Sequence, residues 1–178
     1  MKLHLPLMLI TPLLLCGCGY DSGGGSGAAS SDNAYHWSSL YRQDVKTVAV
    51  PIFTTNVFSR GVEFRLTKAV VNQLEANTPY KVVPRERAET VLEAEIIRVE
   101  VSTVSQDFTN SLPQEQIVNV VVNFTWKDQR NGKMLCERRN FQAAATYYPT
   151  LGEDRFVGRQ LATERLALSM VQELQADW

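Results

Sequence analysis

The stretch "IVNVVVNFTWKDQRNGKML", residues 117–135, decides the fold. Val118, Val120, Val122, Phe124 and Trp126 fall on one side of an extended chain, and Asn119, Asn123 and Thr125 fall on the other. Side chains alternate along a strand, so this pattern predicts a strand with one face on a core and one face polar. An antiparallel sheet covered on one side reads this way. "DQRNGK", 128–133, follows, and its Asn131-Gly132 pair marks a hairpin because both residues tolerate positive φ. The return strand is expected over Leu135–Ala145.

Upstream, Ala88–Ser105 reads as one long strand with a fault in it. Leu92, Ala94 and Ile96 alternate on one phase, then Ile97, Val99 and Val101 continue on the other. A one-residue change of phase is what a β-bulge produces, and it predicts one near Ile96-Ile97. Two strands with a bend between them, or a buried face that switches as neighbours end, give the same pattern. The polar segment 106–115 is expected to be a loop.

Two segments have helical period. Over Gly61–Asn77, Val62, Leu66, Ala69, Val70 and Leu74 recur at three and four, and Asn77-Thr78-Pro79 ends the run. Over Glu153–Trp178 the stripe is Val157, Leu161, Leu168, Val171 and Trp178, widened by Phe156, Ala167, Met170 and Leu174. Glu153 and Asp154 suit the positive end of that helix dipole. Shorter strands are expected at 44–53, "DVKTVAVPIF", and 80–83, "YKVV". The fold class that follows is an α/β (α+β) two-layer sandwich. A mixed sheet of about four to five strands carries two amphipathic helices on one face. The first strand–helix–strand unit suits a crossover between parallel strands.

The amino terminus belongs to none of this. Lys2 precedes an apolar run, Leu5–Leu15, too short to span a bilayer and suited to a signal sequence. It ends in Leu15-Cys16-Gly17-Cys18, the order of a bacterial lipobox, in which the cysteine after a small residue becomes the lipidated first residue. Cys18 fits that role; Cys16 would place bulky Leu15 at the cut. The only other cysteine is Cys136, so a redox or metal reading of the pair lacks partners. Two or more acyl chains on Cys18 would hold the chain in a leaflet, since each buried methylene contributes about 0.8 kcal/mol. Gly19, rather than Asp, after that cysteine leans towards the outer membrane. Residues 20–39, rich in Gly, Ser, Ala, Asp and Asn, read as a tether with an r.m.s. reach of roughly 25 Å. The expected layout is a signal over 1–17, lipidated Cys18 with a flexible tether over 18–39, and a folded domain over 40–178.

Composition excludes several functions. The chain carries 18 Lys and Arg against 19 Asp and Glu. Loss of Lys2 with the signal leaves 17 against 19, without the basic excess of a nucleic-acid binder. The two histidines, His4 and His36, lie in the signal and the tether. No phosphate-binding glycine loop or nucleophile motif is present, and no metal or cofactor is expected. Glu93 and Glu95 share a strand face and have the spacing of an acid–base pair, but a solvated face explains them as well. The basic residues around the hairpin, Lys127, Arg130, Lys133, Arg138 and Arg139, are of the type that binds phosphate through charge-assisted hydrogen bonds.

Taken in order, the lipobox with "CGY", "VKTVAVPIF", "TTNVFSRG", "EFRLTKAVVNQL", "YKVV", "AETVLEAEIIRVEV", "VVVNFTWKDQRNGKML" and the closing "QADW" resemble the lipopolysaccharide-assembly lipoproteins of the LptE family. The resemblance covers about residues 18–178. It implies a two-layer sandwich and a non-enzymatic lipoprotein on the periplasmic face of the outer membrane. Its partner would be the β-barrel LptD, which it would plug and help to assemble while lipopolysaccharide passes to the cell surface. By position in the hairpin, Lys127, Arg130 and Lys133 become candidate lipopolysaccharide contacts, with Arg98 on the long strand as a further one. "KTVAVPIF" also resembles the opening strand of curli-type secretion lipoproteins and of TolB-like domains, which leaves a subunit or adaptor of another envelope secretion complex as the alternative.

Overall fold

A computed structural model describes residues 40–58 and 61–175. The lipidation candidate Cys18, the signal, the tether and Trp178 lie outside the described residues. The elements in chain order are strands β1 (Thr47–Ala49) and β2 (Thr54–Thr55), helix α1 (Val62–Asn77), strands β3 (Lys81–Val82), β4 (Thr90–Gln106), β5 (Pro113–Asp128) and β6 (Met134–Tyr147), and helix α2 (Arg155–Gln172). The sheet runs β3-β1-β4-β5-β6, with β2 beside β4. It is mixed: β1 is parallel to both β3 and β4, whereas β4, β5 and β6 are antiparallel. The β1–α1–β3 unit is thus the parallel crossover that the sequence suggests.

Both helices pack on one face. Val62, Leu66, Val70 and Leu74 of α1 and Ala162, Leu166, Ala167, Met170 and Val171 of α2 join one cluster with Leu92, Ile96, Val118, Val120, Val122, Phe124 and Trp126 of the sheet. The alternation in 117–126 is what lays the apolar set of β5 into this layer. Tyr80 closes the cluster beside β3: its ring lies 5.8 Å from that of Tyr41 and 5.7 Å from that of Trp126. Burial raises the Tyr80 phenol pKa above its ordinary value, and its oxygen accepts the Arg42 N–H at 2.9 Å.

The phase fault in β4 is a bulge. The register with β5 shifts between Ile96 and Arg98, so Ile96 faces Val122 and Arg98 faces Val121. The extra residue keeps Val99 and Val101 on the helix side, where unbroken alternation would have turned them away.

Four expectations are corrected. The segment 44–53 is not one strand: β1 stops at Ala49, Ile52 is 60% exposed, and pairing resumes only at β2. The hairpin strands run further, and the loop between β4 and β5 shrinks to 107–112. At the β5–β6 turn only Gly132 takes positive φ, at 71°. There Gly132 N–H donates to the Asp128 carbonyl at 2.9 Å, closing a longer turn than a two-residue one. Finally, α2 begins at Arg155 on an Asp154 cap, whose carboxylate accepts the Phe156 and Val157 N–H groups. Of its expected stripe Ala167, Met170, Val171 and Leu174 are buried, but Phe156, Leu161 and Leu168 are exposed, and Gly158, Ala162 and Leu166 take their place inside. Helix and sheet come so close here that a Cβ on Gly158 would stand 2.5 Å from the Tyr147 ring, so Gly158 and Ala162 face the strands while Leu161 and Leu168 sit outboard.

Candidate functional site

The β5–β6 turn gathers three of the four candidate contacts at one end of the sheet, the end where residues 40–46 join the domain. An antiparallel bridge links Tyr41 to Gln175, and Arg130 donates Nη2 to the Asp44 carbonyl at 3.3 Å. Lys127 lies on the sheet face opposite the helices and is exposed, as is Lys133 in the turn. Among the described residues, neither ammonium has a carboxylate partner. Arg130 differs. Its Nε and Nη2 bind the nearly buried carboxylate of Asp128 at 3.1 and 2.9 Å, and Glu89 stands 3.9 Å from Nη1.

These contacts tie three segments together. The hydrogen bonds of Arg130 hold the Asp128 carboxyl below the usual carboxylate range. Glu89 accepts the Lys46 N–H at 2.7 Å, which with the Thr47 N–H and the Arg130 charge lowers its pKa too. Asp128 in turn raises the pKa of Arg130. The guanidinium thus stitches the hairpin turn to the start of β4 and to the incoming chain, and most of its charge is spent there. Arg98 is elsewhere. It pairs across from Val121, six strand positions from Lys127 or roughly 20 Å, and sits 3.3 Å from Glu100. Arg138 binds Glu173, just after α2, at 2.8 Å and Arg139 binds Glu137 at 2.9 Å.

The sheet face away from the helices carries an open groove of about 510 Å³, floored by Glu93, Glu95, Asn123 and Thr125 and walled by Pro51, Ile52 and Arg85. Glu93 and Glu95 share this face as their spacing requires, and each has a partner. Glu93 is bound by Arg85 at 2.8 Å, and Glu95 accepts a hydrogen bond from the Asn56 amide.

Sequence reasoning passed over the opposite end. There the β4–β5 hairpin extends beyond the end of β6 and carries exposed Val104, Phe108 and Leu112 at its tip. The tip is built: Asp107 accepts the Thr109 N–H at 2.7 Å and the Asn110 N–H at 3.3 Å, and its N–H donates to the Leu112 carbonyl at 2.9 Å. Those N–H groups depress the Asp107 pKa. The Asp-Phe-Thr-Asn order is a legible turn signal.

Residues 45–177 match the family described as LptE, lipopolysaccharide-assembly. The chain belongs to the LptE family. The match starts just before β1 and runs past α2, so it takes in the whole sandwich. No curated protein matches the chain. Among solved structures it is similar to a hypothetical protein of Chlamydia trachomatis, at 12% identity and TM-score 0.52 over 71% of this chain and 94% of that one. It is also similar to the PelC dodecamer subunit of Paraburkholderia phytofirmans, at 16% identity and TM-score 0.51 over 78% and 96%. A Xanthomonas campestris protein, XCC0632, aligns at 12% identity and TM-score 0.51 over 72% and 82%. At such identities these likenesses carry the fold alone. The LptE family places the chain in lipopolysaccharide assembly.

Proposed function

We propose that this LptE-family chain is a non-enzymatic outer-membrane lipoprotein, anchored on the periplasmic face through acyl chains on Cys18. There it plugs the LptD barrel, assists its assembly and helps pass lipopolysaccharide outward. The observation that carries this is the family match across the entire domain. The lipobox and tether supply the anchor, and the compact sandwich, with charges of both signs on its surface, suits the water-filled lumen of a many-stranded barrel.

Residues 41–44 sit at the end of the domain that holds the β5–β6 turn, so Lys127, Arg130 and Lys133 lie at the end where the chain enters. Lys127 and Lys133 carry the uncompensated charge and are the proposed phosphate contacts, while Arg130 sets the shape of the turn between them. Arg98 would meet lipid only as a separate contact further along the sheet.

The test is purification of the tagged, lipidated chain from detergent-solubilised envelopes. A large β-barrel protein recovered in stoichiometric amount is expected. Recovery of the chain alone, or as a ring of identical copies, would overturn the barrel partnership.

A further inference from the structure

The β5–β6 turn holds a chemically labile pair that the lipid contacts leave unused. Of the asparagines in the chain, Asn131 alone precedes a glycine. In such a pair the following backbone nitrogen can close on the side-chain amide, because no Cβ hinders it and the backbone turns freely. Both residues are exposed, and a Cβ built on Gly132 would meet nothing within 4 Å, so the turn leaves room for the ring.

The turn both activates and restrains this chemistry. Lys133 N–H donates to Asn131 Oδ1 at 2.8 Å, which draws electrons from the amide carbon Cγ. The charges of Lys127 and Lys133 favour the anionic nitrogen that must form at Gly132. Against this, the Gly132 N–H is committed to the Asp128 carbonyl at 2.9 Å, and the Asp128 carboxylate is itself held by Arg130. With its proton engaged there, the nitrogen is free to attack only when the turn opens. At the other end of the sheet Asn110 makes the same kind of turn, its Oδ1 accepting the Leu112 N–H at 3.0 Å. There the next residue is Ser111, whose Cβ crowds the nitrogen.

We propose that Asn131 is a deamidation site, gated by the Arg130–Asp128 bracket, whose product places a carboxylate among the cations of the turn. The Gly132 nitrogen gives its proton to hydroxide and forms a bond to Cγ of Asn131. The Cγ–Nδ2 bond breaks, and the departing group takes a proton from water and leaves as ammonia, which restores the hydroxide. Water then opens the ring at one of its two carbonyls. One opening gives aspartate; the other routes the backbone through the side chain and gives isoaspartate. The acid proton passes to ammonia, so the sum is amide plus water to carboxylate plus ammonium. The new charge sits two residues from Lys133, and isoaspartate also lengthens the backbone by one carbon inside the turn. Lipid binding at Lys127 and Lys133 then falls as the molecule ages. That consequence rests on the lipid contacts proposed above, whereas the chemistry does not.

The test incubates the full chain in detergent micelles at mildly alkaline pH beside a blocked peptide of residues 127–134. Peptide mapping by mass spectrometry should find Asn131 converted ahead of every other asparagine, Asn110 included, as a mixture of aspartate and isoaspartate. Its rate should be about tenfold below that of the peptide, because the folded turn must open first. Arg130→Met should bring the rate several-fold closer to the peptide's, although the loss of that positive charge by itself slows the reaction. The aged chain and Asn131→Asp should both bind purified lipopolysaccharide several-fold more weakly at low ionic strength. Asn131 intact once the peptide is fully converted, aspartate without isoaspartate, or Arg130→Met no faster than the wild type would each overturn the proposal. Asn131→Asp that binds as tightly as the unmodified chain, while Lys127→Glu with Lys133→Glu binds weakly, would overturn the effect of the new charge. If neither variant changes affinity, the lipid contact itself falls, and the gated chemistry is judged on its isoaspartate yield.

Discussion

Gly158→Ala offers a direct test of how tightly α2 lies on the sheet. In an isolated helix the change stabilises by about 1 kcal/mol, because alanine is the better helix former. Here the new Cβ would stand 2.5 Å from Cδ1 of Tyr147 and 2.9 Å from Cγ2 of Val118. Carbon atoms in contact settle at about 3.5–4.0 Å, so something must move by roughly 1 Å. Neither neighbour yields easily. The Tyr147 ring is buried with its hydroxyl donating to Gln116, and Val118 is a β-branched residue on a strand paired on both sides. Overpacking of this kind costs about 1–3 kcal/mol, and two restrained neighbours place it at the upper end. The net expectation is a loss of about 1–2 kcal/mol, or a fall in Tm of roughly 3–10 °C for a domain of this size. Urea unfolding followed by far-ultraviolet circular dichroism measures it. The decisive control is the same change in a Tyr147→Leu background, where relief of the ring contact should make alanine neutral or stabilising, giving a coupling of about 1–3 kcal/mol. Gly158→Ala as stable as the wild type, or an unchanged cost without the ring, would refute the close-approach explanation.

Other outcomes follow from the same geometry. Lys127→Glu with Lys133→Glu should weaken lipopolysaccharide binding several-fold at low ionic strength, where charge is least screened, with Tm unchanged; equal affinity would remove the lysines from the site. Arg130→Met should lower stability at neutral pH, because it strands the carboxylate of Asp128. Asp128 and Glu89 have depressed pKa values in the folded state, so the stability they contribute is complete above about pH 5 and is lost as pH falls through those values. The gap between wild type and Arg130→Met in urea midpoints should therefore narrow below about pH 4, and a gap constant down to pH 2 would contradict the Arg130 bracket. Leu66→Ala, at a wholly buried site under α1, should cost about 2–5 kcal/mol in a urea melt. Cys18→Ser should release the chain from sedimented membranes, and continued sedimentation after a salt wash would argue against the acyl anchor.

Much of this architecture was legible in local pattern. Alternation over 117–126 defined β5 and its buried side, helical period located α1 and its buried Val62, Leu66, Val70 and Leu74, and a slip of phase at Ile96-Ile97 marked where the bulge lies. Each of these is a property of neighbours along the chain, and backbone geometry translates it directly into a face. The candidate contacts were legible only as a cluster of charge. That Arg130 is held by Asp128 and Glu89, while Lys127 and Lys133 are not, depends on residues from three segments meeting at one turn.

By itself, then, the sequence determined the two helices, the long strands and the two-layer sandwich, because periods of two and 3.6 residues are set by the backbone alone, while the phase change in β4 stayed open between a bulge and a bend until the register with β5 decided it. Only the tertiary structure decided which stripe of α2 lies inward, since the separation of helix and sheet, and not hydrophobicity, selects Gly158 and Ala162 over Leu161 and Leu168. It alone decided which cations remain uncompensated, because charge pairing is made between residues that the chain order keeps far apart.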